Sequence, residues 1–360
     1  MKLEFARVEL RLVDPWTIAR ASKTASVQVV QVRLRDTDGY VGFGEGSPIA
    51  RYNESVELAE SFLLNIDQYS LIDNANGIEN CVISDVSPSS MAGMCAIDLA
   101  LVDIIARRKN LPVYDLLGLG FREGQHVTSF TIGIDSPEVI RRKVLAAGNY
   151  PVLKMKVGVS QDKDNLRALR DVAPEKWVRV DANEGWTTKE QALEMIEWLA
   201  KDSRIQFVEQ PLPASTPEED WIWLKARSPL PIFADESYHR AGDAERAAAC
   251  FHGVNVKLVK AGGIRPAVKA LSVARKLGLK TMLGCMIESS ILVSAAAHLA
   301  ELCDYLDLDG NLLIRNDPYV GVTAEKGVLS FARSPEKAGL RVCPRDCSES
   351  SSIRWIGGNM

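Results

Sequence analysis

No run of basic residues occurs in this sequence of 360 residues, and its formal net charge is −4. The electrostatic footprint that a nucleic-acid surface requires is missing, so no nucleic-acid partner is expected. No apolar stretch reaches the length needed to cross a bilayer, and the first twelve residues read as a charged strand rather than a signal peptide. No membrane partner is expected either. Cysteine is sparse and unpatterned, with seven residues, no Cys-x-x-Cys pair and no histidine partners at zinc spacing. That argues against a disulfide framework or structural zinc and fits a reducing cytoplasm. Cys343 and Cys347 lie in a polar tail, residues 341–360, which reads equally as a short strand, a contact to another chain or a disordered end.

What the sequence has instead is a charged residue at the end of one strand-like segment after another. Val152–Val157 contains Lys154 and Lys156, Trp177–Asn183 contains Asp181 and Asn183, and Ile205–Glu209 ends in Glu209. Pro231–Asp235 ends in Asp235, Val254–Leu258 contains Lys257, Thr281–Met286 leads to Glu288, and Tyr305–Asp309 carries Asp307 and Asp309. Each run is short, apolar and rich in β-branched or aromatic residues, as expected for parallel strands buried on both faces. Their charged residues recur about 25 residues apart, the length of one strand plus one helix.

The stretches between them have helical patterning. The clearest is Thr187–Asp202, where Thr187 and Glu190 have capping-box spacing; Asp243–Cys250, Ile264–Leu277 and Ser289–Leu302 behave similarly. Such alternation predicts either an open doubly wound sheet or a closed barrel. Polar residues from so many strand ends favour the barrel, whose C-terminal rim gathers all strands around one site. Upstream, residues 2–12, Val27–Leu34 and Gly39–Gly44 read as an antiparallel meander turning at Asp36-Thr37-Asp38-Gly39. Helices at about Ser55–Asp67 and Ser89–Lys109 follow, the second with Met94, Ile97, Leu101 and Ile105 on one side.

Asp181, Glu209 and Asp235, at the ends of three successive barrel strands, would converge, and carboxylates that close disfavour joint ionisation without a cation. Hard oxygen ligands of this kind suit Mg²⁺. Asn183, two residues beyond Asp181, is expected on the same strand face, behind the ligands. Lys154 and Lys156 share one face of their strand, and Lys257 is offered from the opposite side of the mouth. Lys260, three residues further on, is expected to face elsewhere by strand parity. A carbon acid next to a carboxylate is too weak to deprotonate alone, but a cation on that carboxylate stabilises the enediolate. One lysine, its pKa depressed by neighbouring positive charge, then removes the proton and the other returns it to the opposite face.

These residues carry a resemblance. Lys154-Met155-Lys156, Asp181-Ala182-Asn183, Glu209-Gln210-Pro211, Asp235-Glu236-Ser237 and Val256-Lys257, in that order, resemble the muconate-lactonizing subgroup of the enolase superfamily. A Lys base with Mg²⁺ and an enediolate is the superfamily's known apparatus. Asp307-Leu308-Asp309-Gly310, preceded by Gly284-Cys285-Met286-Ile287-Glu288-Ser289-Ser290, is similar to the signature of dipeptide epimerases. Residues i and i+2 place both carboxylates on one strand face, which calls for a cationic ligand group.

The resemblance implies an α/β fold, a (β/α)7β TIM-like barrel at 123–318 with an N-terminal α+β capping domain at 1–122 and a C-terminal segment, 319–360, returning toward the cap. It implies Mg²⁺ on Asp181, Glu209 and Asp235, and Lys156 and Lys257 as the catalytic pair. It places Asp307, Asp309, Lys154, Thr131, Glu288 and Arg20 against a dipeptide substrate, and a homo-oligomeric state is common among similar proteins. Capping loops at Trp16–Ala25 and about Ile49–Glu54 would close over the mouth. There Arg20 and Lys23 suit an acidic side chain, whereas Trp16, Tyr52 and Trp186 suit an apolar one. The same apparatus would also serve an o-succinylbenzoate synthase, an N-succinylamino acid racemase or a cycloisomerase. A Schiff-base aldolase would leave the three carboxylates without a role, and a non-catalytic Mg²⁺-binding barrel would not need both lysines.

Overall fold

The computed structural model describes residues 1–19, 21–66, 89–346 and 353–357. Arg20 and the side chain of Lys23 lie outside the described residues, and so does Cys347. The amino-terminal meander is a three-stranded antiparallel sheet of β1 (Lys2–Ile18), β2 (Ala21–Arg35) and β3 (Val41–Gly46) in that order. The first two strands run well past the alternating pattern that marks them in sequence. Beyond Leu12 the ribbon leaves the sheet's core, with Val13 57% exposed and the register shifting between Arg11 and Trp16, so no face-by-face alternation survives to be read.

Helix α1 (Val56–Asn65) is capped by Ser55 and α2 (Met91–Arg108) by Ser90, each hydroxyl accepting a backbone N–H. The one-sided apolar face read for α2 is only half of its packing. Ile97, Leu101 and Ile105 are buried, but so are Ala92, Ala96 and Ala100 on another side, where α2 lies against β3. Alternate residues of a strand are about 6.7 Å apart and four helical residues rise about 6 Å, so Gly42, Gly44 and Gly46 meet Ala100, Ala96 and Ala92 in turn. A Cβ at Gly44 would stand 1.8 Å from the Ala96 carbonyl oxygen. Gly44→Ala is therefore expected to destabilise the protein by about 3 kcal/mol or more, because backbone must move. Thermal unfolding of the variant checks this.

The second sheet has eight parallel strands in sequence order: β4 (Phe130–Ile132), β5 (Val152–Lys156), β6 (Trp177–Asp181), β7 (Ile205–Glu209), β8 (Ile232–Ala234), β9 (Gly253–Lys257), β10 (Lys280–Gly284) and β11 (Tyr305–Asp307). A parallel bridge between Thr128 and Leu306, with Ser129 N–H donating to the Leu306 carbonyl at 3.1 Å, brings the first strand back to the last. The sheet is thus a near-closed barrel rather than an open one, with helical crossovers between successive strands. Phe207, Phe233 and Met282, with Tyr305 beside them, fill its floor.

Several boundaries differ locally from the sequence reading. The expected helix over Thr187–Asp202 spans Lys189–Leu199, and its cap is Thr188, whose hydroxyl accepts the Gln191 N–H. The cap therefore sits one residue beyond the Thr187/Glu190 spacing, and Gln191 accepts the N–H of Thr187, the residue before it. The expected helix Ser289–Leu302 is helical over Ser290–Ala297, followed by a short turn at Ala300–Leu302. In the carboxyl-terminal part, Cys343–Pro344 pairs with Tyr319–Val320. Phe5 and Ile356 exchange backbone hydrogen bonds of 3.0 and 2.7 Å, and the Arg33 guanidinium lies 4.4 Å from the Trp355 ring centre. Trp355 and Ile356 thus lie against the first two strands of the cap. Cys95, Cys250, Cys285, Cys303 and Cys343 are free, and no described helix is long and apolar enough to cross a membrane.

Candidate active site

Lys156, Asp181, Glu209, Lys257 and Asp307 reach the carboxyl-terminal rim of the barrel because their strands end there. Asp181 and Glu209 are the last residues of β6 and β7, and Asp235 follows β8. All three are buried, and ligand oxygens of the three lie within 4.8 Å of one another. Lys156 closes β5 and Lys257 closes β9, four strands apart in an eight-stranded ring. The two lysines therefore face each other across the mouth, with the carboxylates on the arc between them.

Charge compensation is uneven. Lys156 Nζ donates to Asp181 at 2.6 Å, and Lys154 Nζ lies 3.0 Å from the same carboxylate. Burial alone would raise Asp181, but these two ammoniums outweigh it and hold its pKa well below the usual carboxylate range. Asp235 is depressed in the same way: burial opposes its charge, while Lys257 at 2.8 Å and Lys260 at 2.5 Å stabilise it. Glu209 is the exception. Burial first, and then Asp181, push it up to about 7 against the pull of Lys154. Its Oε1 accepts from Asn255 at 2.7 Å, but its Oε2 accepts no hydrogen bond, although Lys154 Nζ is 2.7 Å away. Lys154 is close enough for an ion pair but makes no hydrogen bond to this buried oxygen, which keeps its lone pairs for a ligand. Three converging buried carboxylates, one of them short of positive charge, fit a hard divalent cation such as Mg²⁺.

Lys260 does not point away, as strand parity predicts. The strand stops at Lys257 and a helical turn, Leu258–Ala261, swings Lys260 back beneath Asp235, where its Nζ also donates to the Tyr238 carbonyl at 3.1 Å. Nor is either flanking lysine with a resolved shift depressed. Burial lowers Lys257 and Lys154, but Asp235 outweighs it for the first, and Asp181, Asp307 and Glu209 for the second. Both stand above the usual lysine range, so the depressed base read from the sequence needs added positive charge among these carboxylates. Asn183 lies beyond its strand in a left-handed turn, φ 43°, where its N–H donates to Asp181 Oδ1 at 2.9 Å. Strand parity does not reach it, yet it still touches a site carboxylate.

On the far wall, next to β4, stand Asp307 and Asp309. Asp307 closes β11 with both oxygens engaged, by Ser129 at 2.6 Å and Lys154 at 2.7 Å. Asp309 lies past the strand end, held by the Thr131 N–H at 2.7 Å. Burial and the Asp307 charge push it up to about 6, so it is a carboxylate in want of a cation. Glu288 is buried and pushed up to about 8 by burial and by Glu45. Its Oε1 accepts the Met286 N–H at 2.9 Å, and its Oε2 has no hydrogen-bond partner among the described residues.

The cap reaches this rim. The Trp16 ring centre lies 5.8 Å from Lys156 Nζ, Tyr52 packs edge-on against His239 at 5.1 Å, and Arg51 makes a two-pronged ion pair with Glu184 at 2.7 and 2.6 Å. Trp186 takes a different place, buried in the main core. A cavity of about 280 Å³ lies between the cap loop and the barrel, among Tyr52, Met91, His239 and Val259. A second, of about 200 Å³, lies beside Trp16 among Leu12, Phe130, Ile132 and Leu312. Asn255 and Ser129 escaped the sequence reading. Asn255 was within reach of it, two residues before Lys257 on the same strand face.

Residues 2–118 match the family model of the mandelate racemase / muconate lactonizing enzyme N-terminal domain, and residues 138–316 match that of the enolase C-terminal domain-like region. The chain is 60% identical over 347 residues to an L-Ala-D/L-amino acid epimerase of Pedosphaera parvula, covering 95% of this chain and 99% of the relative. It is 39% identical to an L-Ala-D/L-Glu epimerase of Bacteroides thetaiotaomicron, covering 93% and 86%. Among solved structures it resembles a dipeptide epimerase from Enterococcus faecalis complexed with Mg and L-Leu-L-Tyr, at a TM-score of 0.86 and 30% identity over 95% of this chain and 98% of the other. The dipeptide epimerase from Cytophaga hutchinsonii complexed with Mg and D-Ala-L-Val gives a TM-score of 0.88 at 28% identity, over 100% and 99%. The chain belongs to the mandelate racemase and muconate lactonizing enzyme family of the enolase superfamily, alongside the dipeptide epimerases.

Proposed function

We propose that this protein is a Mg²⁺-dependent dipeptide epimerase that inverts the α-carbon of the C-terminal residue by 1,1-proton transfer between two lysines. The observation that carries this reading is the ring order: Lys156 and Lys257 on opposite walls, three buried carboxylates between them, and Asp309 on the far side. Mg²⁺ held by Asp181, Glu209 and Asp235 would bind the dipeptide's carboxylate and stabilise the negative charge that develops as the α-proton leaves. Only the C-terminal α-carbon is adjacent to that carboxylate, so only it is acidified. One lysine takes the proton from one face and the other supplies a proton to the opposite face, which inverts the centre.

The substrate's amino terminus then falls at Asp309, whose raised pKa reflects an unmet need for a cation. Asp307 adds its charge from behind while holding Lys154, and Thr131 fixes Asp309 through its backbone. Glu288, kept neutral at its raised pKa, would donate a hydrogen bond from Oε2 to a substrate oxygen. Among the described residues, the cations lining the cavity beside Tyr52 are Arg51, engaged by Glu184, and Lys260, engaged by Asp235.

The amine contact separates this reading from the succinyl-substrate enzymes, whose substrates bring no ammonium to Asp309. N-acetylation of a dipeptide substrate is expected to lower kcat/KM by about 10²-fold or more, the scale of losing a buried charge-paired hydrogen bond. Equal turnover of free and acetylated dipeptides in a coupled or polarimetric assay would sink the proposal.

A further inference from the structure

Glu45 is a fully buried acid of the cap that stands outside the ring of barrel residues around the mouth. It lies on β3, fully buried, yet its partners come from across the joint between cap and barrel. Its Oε1 accepts the Ser289 N–H at 2.7 Å, and its Oε2 accepts the Ser289 hydroxyl and the Gln31 side-chain amide, the latter at 2.8 Å. Two residues on, the Ser47 hydroxyl donates to the Ile287 carbonyl at 3.0 Å. The loop at 286–289 is therefore clamped from the cap at Ile287 and Ser289, on either side of Glu288. The same loop places the Met286 sulfur 3.8 Å from Lys257 Nζ.

We propose that Glu45 is a positioning residue for the reaction: its carboxylate, supplied by the cap, fixes the barrel loop that carries Glu288 and so sets how the unpartnered Oε2 of Glu288 meets the substrate. This rests on the reading of Glu288 as a substrate-contacting acid. Burial pushes Glu45 up to about 7 against its three N–H and O–H donors, which suit the ionised form, and above that pH its charge adds to the burial that holds Glu288 up. The other groups facing Glu288 are Lys257 from β9, which pulls the other way, and the neutral thiols of Cys95 and Cys285. Glu45 itself faces Asp317 and Tyr319 of the carboxyl-terminal segment.

The test is the pH profile of kcat/KM for the full-length Mg²⁺-loaded enzyme on an L-Ala-L-Xaa dipeptide that the wild type turns over, compared among wild type, Glu45→Gln, Ser289→Ala and Glu288→Leu. Glu288 acts in its protonated form, so activity declines as pH rises through its pKa. Removing the Glu45 charge lowers that pKa, and the basic limb of Glu45→Gln is expected to move down by about one pH unit, with kcat reduced about tenfold and KM little changed. Ser289→Ala removes one donor from Glu45 and is expected to shift the limb the same way by less. It decides the matter if Glu45→Gln fails to fold in thermal unfolding. A wild-type basic limb in a folded Glu45→Gln, with Glu288→Leu impaired, overturns the role of Glu45 alone. A fully active Glu288→Leu, which has no donor, overturns the reading of Glu288 and this inference with it.

Discussion

Lys257→Ala is expected to lose epimerisation by about 10³-fold while still exchanging the α-proton of one substrate epimer with solvent. Lys156→Ala is expected to lose as much and to exchange the opposite epimer. The reason is geometric. With β5 and β9 facing each other across the ring, each lysine reaches one face of the carbon, and neither reaches both. Loss of one base blocks the return of a proton to its side but leaves the other face in reversible contact with the remaining base. Measuring deuterium uptake separately for the L,L and L,D dipeptides in each variant reads this directly. Exchange of both epimers by both variants would mean one base serves both faces.

Removal of the divalent cation is expected to abolish turnover, and adding Mg²⁺ back to restore it. Glu209→Gln should weaken Mg²⁺ binding more than any change outside the carboxylate triad, since Glu209 is the ligand candidate least compensated by the lysines. Asn255→Ala, which leaves the triad intact but removes the 2.7 Å hydrogen bond that orients Glu209, should weaken Mg²⁺ affinity by about 10- to 100-fold. Titration calorimetry on the metal-stripped protein distinguishes the two. Undiminished activity after exhaustive chelation would remove the cation from the mechanism.

The sequence exposes the site more fully than it exposes the joints that support it. Lysines and carboxylates stand out in short apolar strands because such strands otherwise exclude charge, and the strand-plus-helix period assigns those residues to one rim. That logic holds only while the strand lasts. At Lys260 the chain has already turned into a helix, and at Asn183 into a left-handed turn, so parity fails at both, while each still contacts a site carboxylate. The ribbon beyond Leu12 is hidden for a related reason, because a strand with no buried face loses its alternation. The fit of Gly42, Gly44 and Gly46 against α2 and the clamp from Glu45 to Ser289 join residues far apart in the chain, which periodicity within one segment cannot register. Asp307 shows the remaining gap: its place beside Asp309 is legible, but its engagement by Lys154 and Ser129 depends on two other strands of the barrel.

The most direct test of two-lysine dipeptide epimerisation is incubation with Mg²⁺ and a library of L,L-dipeptides in deuterated water, followed by mass spectrometry of the recovered C-terminal residues. A one-dalton gain confined to the C-terminal α-carbon, with the L,D epimer appearing alongside, is the predicted result. No uptake anywhere in the library would contradict it and turn attention to the succinyl-substrate enzymes of the same family.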